Sequence, residues 1–379
     1  MSACTSATAL VLNAGSSSIK LAVFDEDGQP GITASASEIG GASVLKIGEE
    51  RQDIALPDHR EALDALLEGL AGAGVALSDI GVAGHRVVHG GARLTESRRI
   101  TASLRDEIAA LSPLAPLHNP HAVVAMDLLT VRAPDLPQVA VFDTAFHASN
   151  PEVARRYALP DTPETEGLCR YGFHGISYAG LVEALPGLCA PPLPRRLLAC
   201  HLGNGASLCA ILEGRSVATT MGYSPLDGLT MGTRAGTIDG NAVLELARRT
   251  SLERAGAILN NESGLLGLGG ASDMRALGQA GTPEARFAIE HFAYWALRQA
   301  GSMIAAMGGL DAIAFTGGIG ENDAAMRRSL MDGLAFTGLI AGDARGPALH
   351  AEGSPITAWI VEAAEEATIA REARRLIDA

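Results

Sequence analysis

Lysine is almost absent: only Lys20 and Lys46 occur among 29 basic residues, against 43 acidic ones, and the formal net charge of the 379-residue chain is −14. No polybasic tract exists, which excludes the concentrated cationic surface that nucleic acids and anionic membranes require. An anionic ligand must therefore be caught by a few aimed groups. Cysteine is scarce and odd in number (Cys4, Cys169, Cys189, Cys200 and Cys209). With no Cys-x-x-Cys pair and mostly apolar neighbours, these residues read as buried free thiols, which suits a reducing cytoplasm. No apolar run approaches the ~20 residues of a membrane helix, and the opening MSACTSATALVLNAG has neither a basic n-region nor a long apolar core. Two phosphate-binding signatures are missing as well. No Gly-Lys dipeptide occurs, so there is no P-loop, and no G-x-G-x-x-G follows the first strand, which argues against a dinucleotide enzyme.

What is abundant is apolar residue (47%) and glycine (44 residues without a collagen-like period), in a chain of a length that calls for two domains. The opening predicts a hairpin, with strands over Thr8 to Leu12 and Ile19 to Phe24 around the polar tip Asn13-Ala14-Gly15-Ser16-Ser17. Leu63, Leu66, Leu67 and Leu70 recur at helical spacing, Pro120 opens a second helix, and Gln138 to Phe142 is a short buried strand that delivers Asp143. From about residue 145 the pattern begins again. Leu197 to His201 and Ser207 to Leu212 flank the turn Gly203-Asn204-Gly205, half a chain after the first hairpin, which suggests a duplicated α/β architecture. Glu284 to Met307 reads as a long helix, Ala312 to Phe315 as a strand, Thr316 to Asn322 as a glycine turn, and Asp323 to Leu334 and Glu365 to Ile377 as helices.

Three glycine turns follow apolar strands directly: Asn13 to Ser18, His201 to Gly205 and Gly317 to Asn322. Exposed backbone N–H groups in such turns bind phosphate oxygens without bulk. One such turn is an ordinary hairpin or cap; three, with Asn13, Ser16, Ser18 and Lys20 loading the first, point to a nucleotide. Arg86 (GHRVVHGG) and Arg234 (MGTRAG) stand among glycines, where a guanidinium either forms a surface ion pair or offsets charge on a carboxylate or a transferring phosphoryl group. His118, His147, His174 and His201 fall in punctuated loops as phosphate donors or satisfied core histidines. Zinc is disfavoured, since no His-x-x-x-His or Glu-x-x-His on a helix accompanies them.

VLNAGSSSIK, GHRVVHGG, PLHNP, FDTAFH, YGFHG, HLGNGAS, MGYSPLDGLTMGTRAGT and FTGGIGEN, in this order from residue 11 to residue 322, resemble the signature set of the acetate kinase family. The resemblance implies an α/β fold of two duplicated actin-like ATPase (ribonuclease H-like) domains with a nucleotide cleft between them. One domain takes residues 1–144 with a C-terminal helix over 366–379, and the other takes residues 145–365. The implied activity is reversible, Mg²⁺-dependent (or Mn²⁺-dependent) transfer of the ATP γ-phosphate to acetate, by a cytoplasmic homodimer with no nucleic-acid or membrane partner.

Carried over by position, Asn13 and Glu365 hold the metal. Ser16, Ser18, Lys20, His201, Leu202, Gly203, Asn204, Gly205, Asp273, Met274, Arg275, Gly318, Ile319, Gly320, Glu321 and Asn322 hold ATP. Arg86 binds the carboxylate, Val88, Leu117, Phe173 and Pro225 surround its methyl group, and Asp143, His174 and Arg234 are catalytic. Acetate is already ionised at neutral pH, so Asp143 is expected to orient Arg86, Arg234 or metal-bound water rather than to act as a base. The chain departs from the family pattern in places. Glu362-Ala363-Ala364-Glu365-Glu366 replaces Pro-Thr-Asn-Glu-Glu, which leaves Glu366 as the alternative metal-linked glutamate, and Tyr178 stands where histidine is frequent. The rival readings are a propionate kinase of the same family and, from another class, an actin- or Hsp70-like ATPase without acyl phosphate chemistry.

Overall fold

A computed structural model describes residues 8–189, 191–343 and 346–378. The chain divides into two compact units, one running to Ala145 and resuming at Ala364, the other spanning Phe146–Ala363. The predicted thiol Cys4 lies outside the described residues; Cys200 and Cys209 are buried, and Cys169 and Cys189 are half-buried.

The first unit is built on strands β1 (Ala9–Ala14), β2 (Ser18–Phe24), β3 (Pro30–Ser37), β4 (Val44–Ile47), β5 (Glu50–Asp53), β6 (Val82–Val87), β7 (Arg98–Arg99) and β8 (Gln138–Phe142). They form one sheet in the order β5-β4-β3-β2-β1-β6-β8-β7. β1 and β2 pair antiparallel from Ala9↔Phe24 to Ala14↔Ile19, and the Gly15 N–H donates to the Ser18 carbonyl at 2.8 Å to close the turn. Side chains alternate between the two faces of a strand. Leu10, Leu12, Ile19 and Leu21 therefore point one way, where they pack with Leu63, Leu66 and Leu70 of the helix His59–Gly72 and with Leu128 and Leu129 of the helix Asn119–Arg132. Each leucine so buried contributes about 1.5–3 kcal/mol. The C-terminal helix Glu365–Ile377 packs on β1, β6 and β8. It comes so close at Gly84 that a β-carbon there would stand 2.6 Å from Ile369 Cγ2.

The second unit repeats this plan. Its strands β9 (Arg196–Leu202), β10 (Ala206–Leu212), β11 (Arg215–Thr219), β12 (Ala312–Thr316) and β13 (Thr357–Ile360) lie in the order β11-β10-β9-β12-β13. β9, β10 and β11 make an antiparallel meander, while β12 runs parallel to β9 and β13 parallel to β12. The run β3-β2-β1-β6-β8 of the first sheet has the same order and the same sense of pairing. The suspected duplication is thus present in the topology. The helix Gly175–Cys189 packs through Tyr178, Leu181 and Leu185 on Leu197, Ala199 and Ile211, and the long helix Pro283–Met307 packs on β9, β10 and β11.

One expected turn is a helix. Gly317, at φ +78°, bends the chain out of β12, and Gly317–Asn322 then winds up as a short helix. The Glu321 carboxylate reaches back to accept the Gly317 N–H at 2.9 Å, satisfying a donor that the helix start would otherwise leave open. A glycine-rich sequence hides such a helix, because its stabilising contact is made by one side chain after the turn has formed.

Candidate active site

In the first unit Asn13, Arg86 and Asp143, all expected site residues, gather at the carboxyl ends of three adjacent strands, the place where open α/β sheets bind ligands. Parallel pairing of Leu12 with His85 brings Asn13 beside Arg86, and pairing of Val87 with Phe142 brings Asp143 to the other side of Arg86. Arg86 donates from Nε (3.0 Å) and Nη2 (2.6 Å) to the same Asp143 oxygen, Oδ2, and from Nη1 to Asn13 Oδ1 at 3.3 Å. The Arg86 side chain keeps 20% exposure and Asp143 only 1%. Burial alone would lower the Arg86 pKa, but the charges of Asp143, Glu365 and Glu366 and the bond to Asp143 outweigh it and hold the pKa above its ordinary value. The guanidinium is a fixed cation, and with five N–H donors in all it retains capacity for a ligand.

The strand end is braced from behind. Asn119 accepts the His89 N–H at 3.2 Å and donates to the His89 carbonyl at 3.0 Å, and Thr144 accepts the Gly90 N–H at 3.1 Å. Val88, just before these braced residues, is buried, whereas Leu117 is 52% exposed. At the hairpin tip Ser16 is exposed and Ser18 half-buried. His59 hydrogen-bonds the Gly15 carbonyl at 2.7 Å and stacks on His121, with ring centroids 4.0 Å apart. Lys20 lines a separate cavity of about 410 Å³ with Lys46 and Glu366.

In the second unit a cavity of about 570 Å³ is lined by Gly203, Asn204, Asp273, Met274, Arg275, Gly318, Ile319 and Asn322, together with Ser272 and the start of the next helix at Asp323 and Ala324. Eight of the residues expected to hold ATP thus surround one space, of a size typical for small-molecule sites. Gly318 leaves its β-carbon direction open, with nothing within 4 Å. Leu202 and Gly320 are buried. Asp273 also caps the helix Met274–Ala280, accepting the Ala276 N–H at 2.9 Å.

One residue beyond this cavity, His174 and Arg234 converge on Gly205. A β-carbon at Gly205 would stand 3.2 Å from His174 Nε2 and 3.6 Å from Arg234 Nη2. Arg234 is aimed by its own loop, donating from Nη1 to the Pro225 carbonyl at 2.8 Å, and that loop is fastened to the glycine turn by the bond from Gly232 N–H to the Asn204 carbonyl. His174 has φ +59°, a conformation rare for a residue with a side chain, and its ring stacks on His201 at 4.1 Å. Phe173, beside it, is buried.

A family model described as the acetokinase family matches residues 8–371. The chain belongs to the acetokinase family. It is 41% identical to an acetate kinase of Rhodopseudomonas palustris over 391 residues, covering 97% of this chain and 98% of that one. It is 40% identical to a propionate kinase of Citrobacter rodentium over 387 residues, covering 97% and 96%. The crystal structure of the Porphyromonas gingivalis acetate kinase superposes with a TM-score of 0.90 at 32% identity, covering 98% of this chain and all of that one. The fold is therefore that of the actin-like ATPases, and the chain is a kinase of a family that phosphorylates carboxyl groups.

Within this family member, His147 is not a phosphate donor. It is fully buried, with Nδ1 2.8 Å from Ser216 Oγ and Nε2 2.9 Å from the Phe173 carbonyl, and burial, against the bond to Phe173, lowers its pKa to about 4. It is a core histidine that props the loop bearing His174. Sequence reasoning passed over Asn119, Thr144, His59 and Ser207, although PLHNP, FDTAFH and HLGNGAS contain three of them. Glu321 also has a backbone task, since it accepts the Ala363 N–H as well as that of Gly317. Among the described residues no three His, Cys, Asp or Glu side chains group as a ready-made metal cage. Asn13 and Glu365 both lie about the Arg86 guanidinium, and so sparse an oxygen set matches a hard cation that takes its remaining ligands from phosphate and water.

Proposed function

We propose that the chain transfers the terminal phosphoryl group of ATP to acetate, giving acetyl phosphate and ADP, and runs the reverse reaction. The observation that carries this reading is the convergence of His174 and Arg234 on Gly205, next to the Gly203 and Asn204 that line the cavity. Donors fixed at that spot face the end of a bound triphosphate, where charge spreads over the equatorial oxygens of the moving group. An acetate oxygen attacks the γ-phosphorus as the bond to the β,γ-bridging oxygen breaks, and ADP leaves with the electron pair. No proton has to move.

Arg86 is the residue for the carboxylate, held in place by Asp143, with Val88, Leu117, Phe173 and Pro225 against the methyl group. Mg²⁺, or Mn²⁺, when bound, offsets phosphate charge; Asn13 and Glu365 are the residues that would hold it. A cytoplasmic homodimer is the assembly that goes with this reading.

Propionate is the second candidate acceptor, supported by the Citrobacter rodentium propionate kinase, whose identity is within a point of that of the acetate kinase. Trapping acyl phosphate with hydroxylamine across acetate, propionate and butyrate tests the reaction and the substrate together. Acyl hydroxamate should form with acetate, and chelation of divalent metal should abolish it. Steady ATP turnover that ignores every carboxylate would instead mark an actin- or Hsp70-like ATPase.

A further inference from the structure

Behind His174 lies a line of hydroxyl groups that ends in the core. Ser207 Oγ is 2.9 Å from His174 Nδ1, and the Tyr178 hydroxyl is 2.6 Å from Ser207 Oγ. Ser207 and Tyr178 are both fully buried. Two hydrogen bonds in series need two protons, and they run in one of two directions. If Nδ1 carried a proton, it would donate to Ser207, Ser207 would donate to Tyr178, and the phenolic proton would need a further acceptor.

The surroundings of the phenol argue against that arrangement. Tyr178 packs among Leu181, Leu185, Leu197, Ala199 and Ile211, and among the described residues the side chain that hydrogen-bonds its hydroxyl is Ser207. The backbone of His201 also faces the phenol, as a donor that lowers its pKa, but burial outweighs this and holds the pKa well above 10, so the phenol keeps its proton. A buried O–H without an acceptor is strongly disfavoured. The opposite direction satisfies every member: Tyr178 donates to Ser207, and Ser207 donates to Nδ1.

We propose that Tyr178, acting through Ser207, holds His174 as its Nε2–H tautomer, so that the imidazole presents a neutral, permanently aimed N–H donor beside Gly205 and Arg234. Nε2 is the ring atom nearest Gly205. Tyr178 and Ser207 are positioning residues and His174 is the group that touches the phosphoryl. The other titratable and charged groups around the line are His201, stacked on His174; Arg234, across Gly205; and Cys200, Cys209 and His147, around the phenol. Among the described residues none of these side chains accepts the phenolic proton. This inference deepens the proposed function and rests on it for the role of Nε2–H, but the tautomer itself does not depend on which reaction is catalysed.

The test is a two-bond ¹H–¹⁵N correlation spectrum of the ¹⁵N-histidine-labelled full chain at neutral pH, with the His174 signals assigned by their loss in His174→Gln. The wild-type protein should show a protonated Nε2 and a bare Nδ1. Tyr178→Phe and Ser207→Ala should each give a mixture of tautomers and lower kcat for acyl phosphate formation roughly tenfold, the effect of about one neutral hydrogen bond, with KM for ATP and for the carboxylate unchanged. Because the two residues act in series, the double variant should lose no more than Ser207→Ala alone. A protonated Nδ1 in the wild type overturns the proposal, as does a Tyr178→Phe protein with an unaltered tautomer and kcat. Failure to form hydroxamate with any carboxylate would refute the kinase reading and leave the spectra to decide the tautomer.

Discussion

Replacing Asp143 by asparagine separates two roles that a buried acid can play. In the structure both contacts from Arg86 fall on Oδ2, at 3.0 and 2.6 Å, and the carboxylate has 1% exposure. Charge-assisted bonds of this kind contribute about 1.5–3 kcal/mol each, and breaking a buried pair outright costs about 3–5 kcal/mol. Asparagine keeps an acceptor oxygen in nearly the same place and removes only the charge, so its effect should be a fraction of that, roughly 2 kcal/mol, or about thirtyfold in kcat/KM for the carboxylate at 1.36 kcal/mol per decade.

The loss should be the same at every pH, because the group that is mispositioned is an arginine that does not titrate. It should also lie mainly in the carboxylate term, leaving KM for ATP close to wild type. Asp143→Ala leaves the guanidinium buried with only the 3.3 Å contact to Asn13, and should lower the unfolding free energy by about 3 kcal/mol besides. Steady-state hydroxamate kinetics from pH 6 to 9, roughly the range in which a carboxylate substrate stays ionised, with urea melts of both variants, measure this. An Asp143→Asn enzyme with wild-type kcat/KM would refute the positioning argument, and a change in the shape of its pH profile would assign Asp143 to proton transfer instead.

Gly318 lines the cavity with open space in front of it, so Gly318→Leu should raise KM for ATP at least about tenfold, one methylene in a pocket already being worth about 1–3 kcal/mol; a normal KM would mean that the nucleotide lies elsewhere. Val88→Ala should move the kcat/KM ratio toward propionate by about tenfold, the lower end of the roughly 10–200-fold range open to one methylene, and an unchanged ratio would remove Val88 from the methyl pocket. Stability should also depend on pH. Burial depresses His85 and His147 to about 4 in the folded chain, so the unfolded chain binds more protons between pH 4 and about 6.5. Their contribution is whole above the unfolded value and is lost as pH falls toward 4, by about 3 kcal/mol for each histidine. Urea melts at pH 7 and pH 5 should show the decline, and a His147→Asn protein with the same acid-side slope as wild type would exclude His147 as a contributor.

Much of the local structure could be read directly. Gln138–Phe142 and Glu365–Ile377 have the limits expected of them, and Ala9–Ala14 and Ser18–Phe24 flank the polar tip as foreseen. The first strand, however, runs two residues further than expected, through Asn13 and Ala14 of the polar tip, which pair with Lys20 and Ile19. The rest of these segments carry their own signal in hydrophobic period and turn residues, because the interactions that shape them lie within a few positions along the chain. β3, Pro30–Ser37, carries no such signal, since its small and polar residues become a strand only through pairing with β2 and β4. The same divide runs through the site. Glycine spacing marked the turns that surround the cavity, and family motifs marked Arg86, Asp143, His174 and Arg234.

Which polar group satisfies which other was decided only by the tertiary structure. Arg86 meets Asp143 across 57 residues through parallel strand register, His147 supports the Phe173 carbonyl, and Tyr178, on a helix, reaches His174 through Ser207 on β10. The physical reason is that a buried donor or acceptor must find its partner in space, and the partner's place along the chain leaves no local mark. Sequence alone determined where the chain turns and which polar side chains its loops carry; the fold determined which of those side chains meet one another and which of them line the cavity.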